Sequence, residues 1–87
     1  MELVLEKKIK RYCLACIEDN YCFYLKSLHR IGGWELVTDI EQATKADSKS
    51  IMRMVRDNYE RDMGTNASKL VVVPVVIDYS LVKEIED

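Results

Sequence analysis

Residues 70–79 read Leu-Val-Val-Val-Pro-Val-Val-Ile-Asp-Tyr, and no other stretch of the chain limits the fold as strongly. Branching at Cβ crowds a helix but suits a pleated surface, so this run is expected to form a strand. Pro74 stands in its middle and has no N–H to give to a ladder. The strand is therefore confined to a sheet edge, or it carries a bulge at that point. Leu70, Val72 and Val76 fall on one side of such a strand, and Val71, Val73, Val75, Ile77 and Tyr79 on the other. Both faces are apolar and both need cover.

The cover has to come from few residues. A chain of 87 residues is expected to form one domain, 1–87, around a single modest core. With 48% hydrophobic and 32% charged residues it lies well inside the globular range.

Upstream, residues 9–27 read as a hairpin. Tyr12, Leu14 and Cys16 alternate with Cys13, Ala15 and Ile17, then Tyr21, Phe23 and Leu25 with Cys22, Tyr24 and Lys26. Glu18-Asp19-Asn20 supplies the reversal, since Asp and Asn bond to their own backbone in turns. A polar loop through Gly32-Gly33 precedes a short strand, residues 34–37. Thr38 or Asp39 can cap one helical turn over 40–45, and Asp47 or Ser48 can cap the main helix. There Met52, Val55, Tyr59 and Met63, with Ile51 and Met54 alongside, make an apolar stripe that ends at Gly64. The opposite face offers three i,i+4 ion pairs, Arg53/Asp57, Arg56/Glu60 and Asp57/Arg61, worth ~0.2–0.5 kcal/mol each. The tail, 83–87, is charged and expected to fray. The fold class that follows is α+β: a small antiparallel sheet of three to four strands with one helix on one face, in the order β-β-β-α-β.

Residues 1–10 are interrupted by charge and form no secretory h-region. The longest apolar run, 70–77, is far shorter than the ~20 residues of a membrane-spanning helix. A cytoplasmic location is expected. Three cysteines in such a compartment are expected to stay reduced.

Cys13, Cys16, Cys22 and His29 have the spacing of a small zinc knuckle. Against that reading, residues three apart on an alternating strand point to opposite faces, and free cysteine is a common core residue. No metal or cofactor is therefore expected. His29 is the only histidine and has no neighbouring carboxylate to orient it as a base. Glu35, Asp39, Glu41 and Asp47 read as caps and solvated charges. Three glycines in all, Gly32, Gly33 and Gly64, build no phosphate loop. The expectation is a protein that is not an enzyme.

A basic and aromatic set remains: Lys7, Lys8, Lys10 and Arg11, then Tyr12, Tyr21, Phe23 and Tyr24, with Lys26 and Arg30. Aromatics on a sheet flanked by cations can stack the bases of single-stranded nucleic acid. The net charge of −2 argues against it. Residues 1–34 carry six Lys/Arg against four Asp/Glu, and residues 35–87 carry seven against eleven. A single helix covers one sheet face, so the other is expected to meet a partner protein or a second copy of the chain.

Asp19-Asn20-Tyr21, Trp34, Val37-Thr38-Asp39-Ile40, Ala43-Thr44-Lys45 and Ser48-Lys49 together resemble the pattern of short accessory proteins encoded by bacteriophages of Gram-positive bacteria. The resemblance covers roughly residues 12–50. It implies a phage or prophage origin and a place in the host cytoplasm. It also implies a role like that of the small anti-CRISPR inhibitors, which occupy a surface of a larger nucleic-acid-targeting effector. Interface energy concentrates in Trp, Tyr and Arg, so the expected partner-binding residues are Lys10, Arg11, Tyr24, Lys26, Arg30, Trp34 and Glu35. The alternative is a single-stranded nucleic-acid-binding domain centred on Lys10, Arg11, Tyr12 and Tyr24.

Overall fold

The structure, a computed structural model, describes residues 2–28 and 31–84, with side chains described at 7–28 and 31–78. Four strands, β1 (Glu2–Ile17), β2 (Cys22–Ser27), β3 (Trp34–Val37) and β4 (Leu70–Glu84), form one antiparallel sheet in the order β3-β2-β1-β4. One helix, α1 (Lys49–Met63), lies between β3 and β4 in sequence, so the element order is the β-β-β-α-β expected. None of the described helices is long and apolar enough to cross a membrane.

Pro74 lies at a sheet edge without a bulge. The β1/β4 register runs unbroken from Glu2↔Glu84 to Cys16↔Leu70, through Tyr12↔Pro74. Tyr12 spends its backbone groups on the other side of β1. Its N–H donates to Ala46 O (2.7 Å), and its carbonyl accepts from Ala46 N–H (3.0 Å). Tyr12↔Pro74 is therefore a non-hydrogen-bonded pair, and the proline nitrogen points to the open edge, where no donor is needed.

The hairpin is narrower than its alternation suggests. β2 pairs with β1 at three positions, Ala15↔Tyr24, Cys16↔Phe23 and Ile17↔Cys22. Beyond them the strands diverge, and residues 44–46 fill the wedge. Thr44 N–H donates to Leu25 O (3.0 Å), Ser27 N–H donates to Thr44 Oγ1 (2.7 Å), and Ala46 takes Tyr12 as above. The chief partner of β1 is β4, which begins more than fifty residues after β1 ends. Both strands also outrun the sequence expectation: β1 begins at Glu2, and β4 continues to Glu84 through part of the tail expected to fray.

Capping follows the residue chemistry. Asp39 accepts from Glu41 N–H (2.9 Å) at the head of a 3-10 turn, Ile40–Gln42. Ser48, not Asp47, caps α1 by accepting from Ile51 N–H (3.4 Å). Gly64 closes α1 at φ +62, a left-handed angle that side chains resist, and its N–H donates to Glu60 O.

The core lies between α1 and one face of the sheet: Leu14, Leu25, Met52, Ala67 and Leu70 are buried, with Tyr12, Cys16, Trp34, Val55, Tyr59 and Val72 packed against them. Fully burying a side chain such as Leu14, Leu25 or Met52 contributes ~1.5–3 kcal/mol. The helical stripe is narrower than its periodicity suggested, because Ile51, Met54 and Met63 remain exposed. The three expected ion pairs give way to two bonds that tie the α1–β4 connection and one within α1. Arg56 Nη1 donates to Leu70 O (3.1 Å), Glu60 Oε1 accepts from Ala67 N–H (2.8 Å), and Arg61 Nη2 donates to Asn58 Oδ1 (2.8 Å).

The second face is not left entirely to a partner. Cys13, Ala15, Val37 and Ala43 are buried there. Ile40 and Lys45, from the segment around the 3-10 turn, line a groove with Val75 and Ile77 of β4. The chain thus covers both faces where the body lies. Past Arg11 and Val75, β1 and β4 continue alone as a two-stranded arm. At ~3.3 Å per residue, ten residues extend about 33 Å, which accounts for the long axis of a molecule measuring 61 × 32 × 22 Å.

Candidate functional site

The register divides the expected partner-binding residues between two faces. Lys26 stands directly opposite Glu35, and Tyr24 opposite Val37. With Arg11, these lie on the face away from α1. Trp34 and Lys10 lie on the helix face. Arg30, like His29, is outside the described residues. The seven residues therefore do not form one patch.

Trp34 is also a packing residue. Its ring meets Tyr59 edge-on at 5.6 Å, and its Nε1–H donates to Asp62 Oδ2 (3.1 Å). Half-buried against the core, it anchors β3 to the end of α1. Tyr12 is similarly engaged: it packs on the core, and Lys10 Nζ and Lys49 Nζ sit over its ring at 5.6 and 5.8 Å. The Tyr12 ring is thus held between the core and two ammonium groups.

Cys13 and Cys22 share a face of the sheet, but Cys16 lies on the other, so the three do not form one site. Cys13 pairs with Val73 and lies on the face away from the helix, whereas Cys16 pairs with Leu70 and packs on the core. Cys16 Sγ is 3.7 Å from Glu18 Oε1. Among the described residues no group of three or more His, Cys, Asp or Glu side chains could hold a metal ion. Burial pushes the Cys13 thiol above the ordinary thiol value, with the Lys45 ammonium opposing and Cys22 adding to the rise. The Tyr24 phenol is also raised, first by its hydrogen bond to Cys22 and then by burial.

What the structure assembles instead lies along β3 and the last turns of α1. Leu36 is 49% exposed and Met63 56%. With Trp34, Glu35 and Tyr59 they line one shallow depression of about 240 Å³. A second, of about 160 Å³, is shared by Leu36, Tyr59, Ala67, Lys69 and Leu70. A third, of about 280 Å³, runs from Glu35 to Asp39. β3 is the outer strand of the sheet and contributes lining residues to all three. Aromatic rings, a methionine and a leucine around an open strand edge are the composition of a protein-docking surface. Trp34 and Glu35 are among the residues singled out in the sequence. Leu36 and Met63 were missed because the first sits in a strand too short to show a pattern, and the second continues the core stripe of α1. Its place at the end of α1, beside Gly64, was the available signal.

The chain matches no known protein family, no curated protein and no solved structure.

Proposed function

We propose that the chain is a non-catalytic interaction module that docks a larger protein or ribonucleoprotein through the Trp34–Leu36–Tyr59–Met63 surface. Its role would be an inhibitor of the anti-CRISPR type, occluding a surface of a nucleic-acid-targeting effector in a bacterial cytoplasm. The observation that carries the reading is the exposure of Leu36 and Met63 beside a fixed Trp34/Tyr59 pair. Rigid aromatics flanked by accessible aliphatic side chains lose little entropy on binding and concentrate interface energy. The phage origin and the effector class rest on the sequence resemblance alone.

The test is capture of tagged protein from a bacterial lysate carrying CRISPR effectors, with nuclease treatment. It is run in parallel with the double variant Leu36→Asp, Met63→Asp, whose positions are exposed and tolerate charge. The expected result is a stoichiometric effector that survives nuclease and binds the variant at least about thirtyfold more weakly. Retention that is lost on nuclease treatment would move the assignment to nucleic acid. An effector held equally by the variant would place the docking surface elsewhere.

A further inference from the structure

The bonds of β2 fix which backbone groups of β3 are spare. Leu25 O accepts from Thr44 N–H, and Ser27 N–H donates to Thr44 Oγ1, so odd-numbered residues of β2 turn their backbone groups toward the wedge and even-numbered ones toward β3. Lys26↔Glu35 and Tyr24↔Val37 are then the hydrogen-bonded pairs, and Leu25↔Leu36 and Ser27↔Trp34 are not. The N–H and C=O groups of Trp34 and Leu36 therefore point to the outer edge, where no described residue bonds to them. Neither a proline nor a bulge blocks that edge.

Two depressions meet the edge, one for each face. Consecutive strand residues put their side chains on opposite faces, so a depression lined by several in a row reaches round the strand's edge, and β2 already fills the inner one. The depression of about 240 Å³ takes in Trp34, Glu35 and Leu36, with Tyr59 and Met63 on the helix face. The depression of about 280 Å³ runs from Glu35 to Asp39 and carries the exposed carboxylates of both. Neither carboxylate forms an ion pair among the described residues, although Lys26 stands opposite Glu35. One side of the edge is thus apolar and the other acidic.

We propose that the partner enters as an extended strand, added antiparallel to the outer edge of β3, with side chains that alternate between apolar and cationic. Antiparallel pairing continues the pattern of every other pair in the sheet. Its apolar residues flank Trp34 and Leu36, exchange backbone bonds with them, and settle against Tyr59 and Met63. Its Lys or Arg residues fall on the other face, where the unpaired carboxylates of Glu35 and Asp39 select them over acidic residues. The inference rests on the docking surface proposed above and adds the way a partner engages it.

Amide NMR of the full chain, titrated with the peptide Thr-Val-Lys-Val-Arg-Val-Thr, tests it. The Trp34 and Leu36 amides are expected to shift and to exchange more slowly with solvent. Thr-Val-Glu-Val-Glu-Val-Thr should bind at least about tenfold more weakly, and Glu35→Lys should narrow that preference. Methylating the backbone nitrogen of the central Val removes an N–H that faces β3 and should abolish binding. Methylating that of the Arg, which faces away, should leave binding nearly unchanged. Failure of the Lys/Arg peptide to bind would overturn the inference, as would equal affinity for the two peptides, indifference to the Val methyl group, or shifts at Val76 and Asp78 on the edge of β4 in place of Trp34 and Leu36. If the peptide fails while effector capture still depends on Leu36 and Met63, strand addition falls and the docking surface stands. If capture ignores Leu36→Asp, Met63→Asp, the docking surface falls with it.

Discussion

The body and the arm share the same two strands but not the same support. Around residues 12–17 and 70–74, β1 and β4 carry α1 on one face and the segment around the 3-10 turn on the other, and Cys13, Leu14 and Ala15 are buried. Along residues 2–11 and 75–84 the ladder continues with no further strand among the described residues beside it. The hydrogen-bond pattern is the same in both regions. What differs is apolar surface removed from water, the largest favourable contribution to folding. A ladder alone therefore does not make a strand stable, and substitutions in the two regions should have unequal costs.

The largest expected effect is in the body. Leu25→Ala removes a fully buried side chain from the centre of the core and should cost ~2–5 kcal/mol in urea unfolding. A cost below about 1 kcal/mol would mean that the body is no better packed than the arm.

A smaller effect is alkaline. Cys13 and Tyr24 both hold their protons more tightly in the fold than in the unfolded chain, whose ordinary values are 9.0 and 10.0. A raised folded value contributes stability that is full below the unfolded value and is lost as pH rises through the folded one. Thermal melts should therefore fall from about pH 9 upward. Cys13→Ala and Tyr24→Phe should each flatten that fall, while a variant confined to the arm should leave its slope unchanged.

The smallest effect is in the arm. Ile9→Ala, opposite Ile77, should cost less than about 1 kcal/mol in dilute protein. Amide exchange should sharpen the contrast, with residues 2–10 exchanging well before Leu14 and Leu25.

Much of the body was legible in the chain. Pro74 in a Val/Ile run implied an edge strand or a bulge, Thr38 or Asp39 and Asp47 or Ser48 announced helical starts, Gly64 announced a stop, and Cys13 and Cys16 were assigned to opposite faces; the structure takes the edge, Asp39 and Ser48. The candidate surface was half legible. Trp34 and Glu35 were picked out by residue type, but Leu36 and Met63 belong to it only because α1 ends beside β3. Lys10, Arg11, Tyr24 and Lys26 were grouped by nearness in sequence, and alternation along the strands divides them between faces.

The sequence by itself determined the elements and their ends, because propensity, capping and proline geometry act over a few residues. Only the tertiary structure decided that β1 pairs mainly with β4, that residues 44–46 wedge between β1 and β2, and that Glu2 to Glu84 is one continuous ladder. Each of these joins residues far apart in the chain. Such pairings depend on the total apolar surface that alternative arrangements bury, a quantity no local pattern contains.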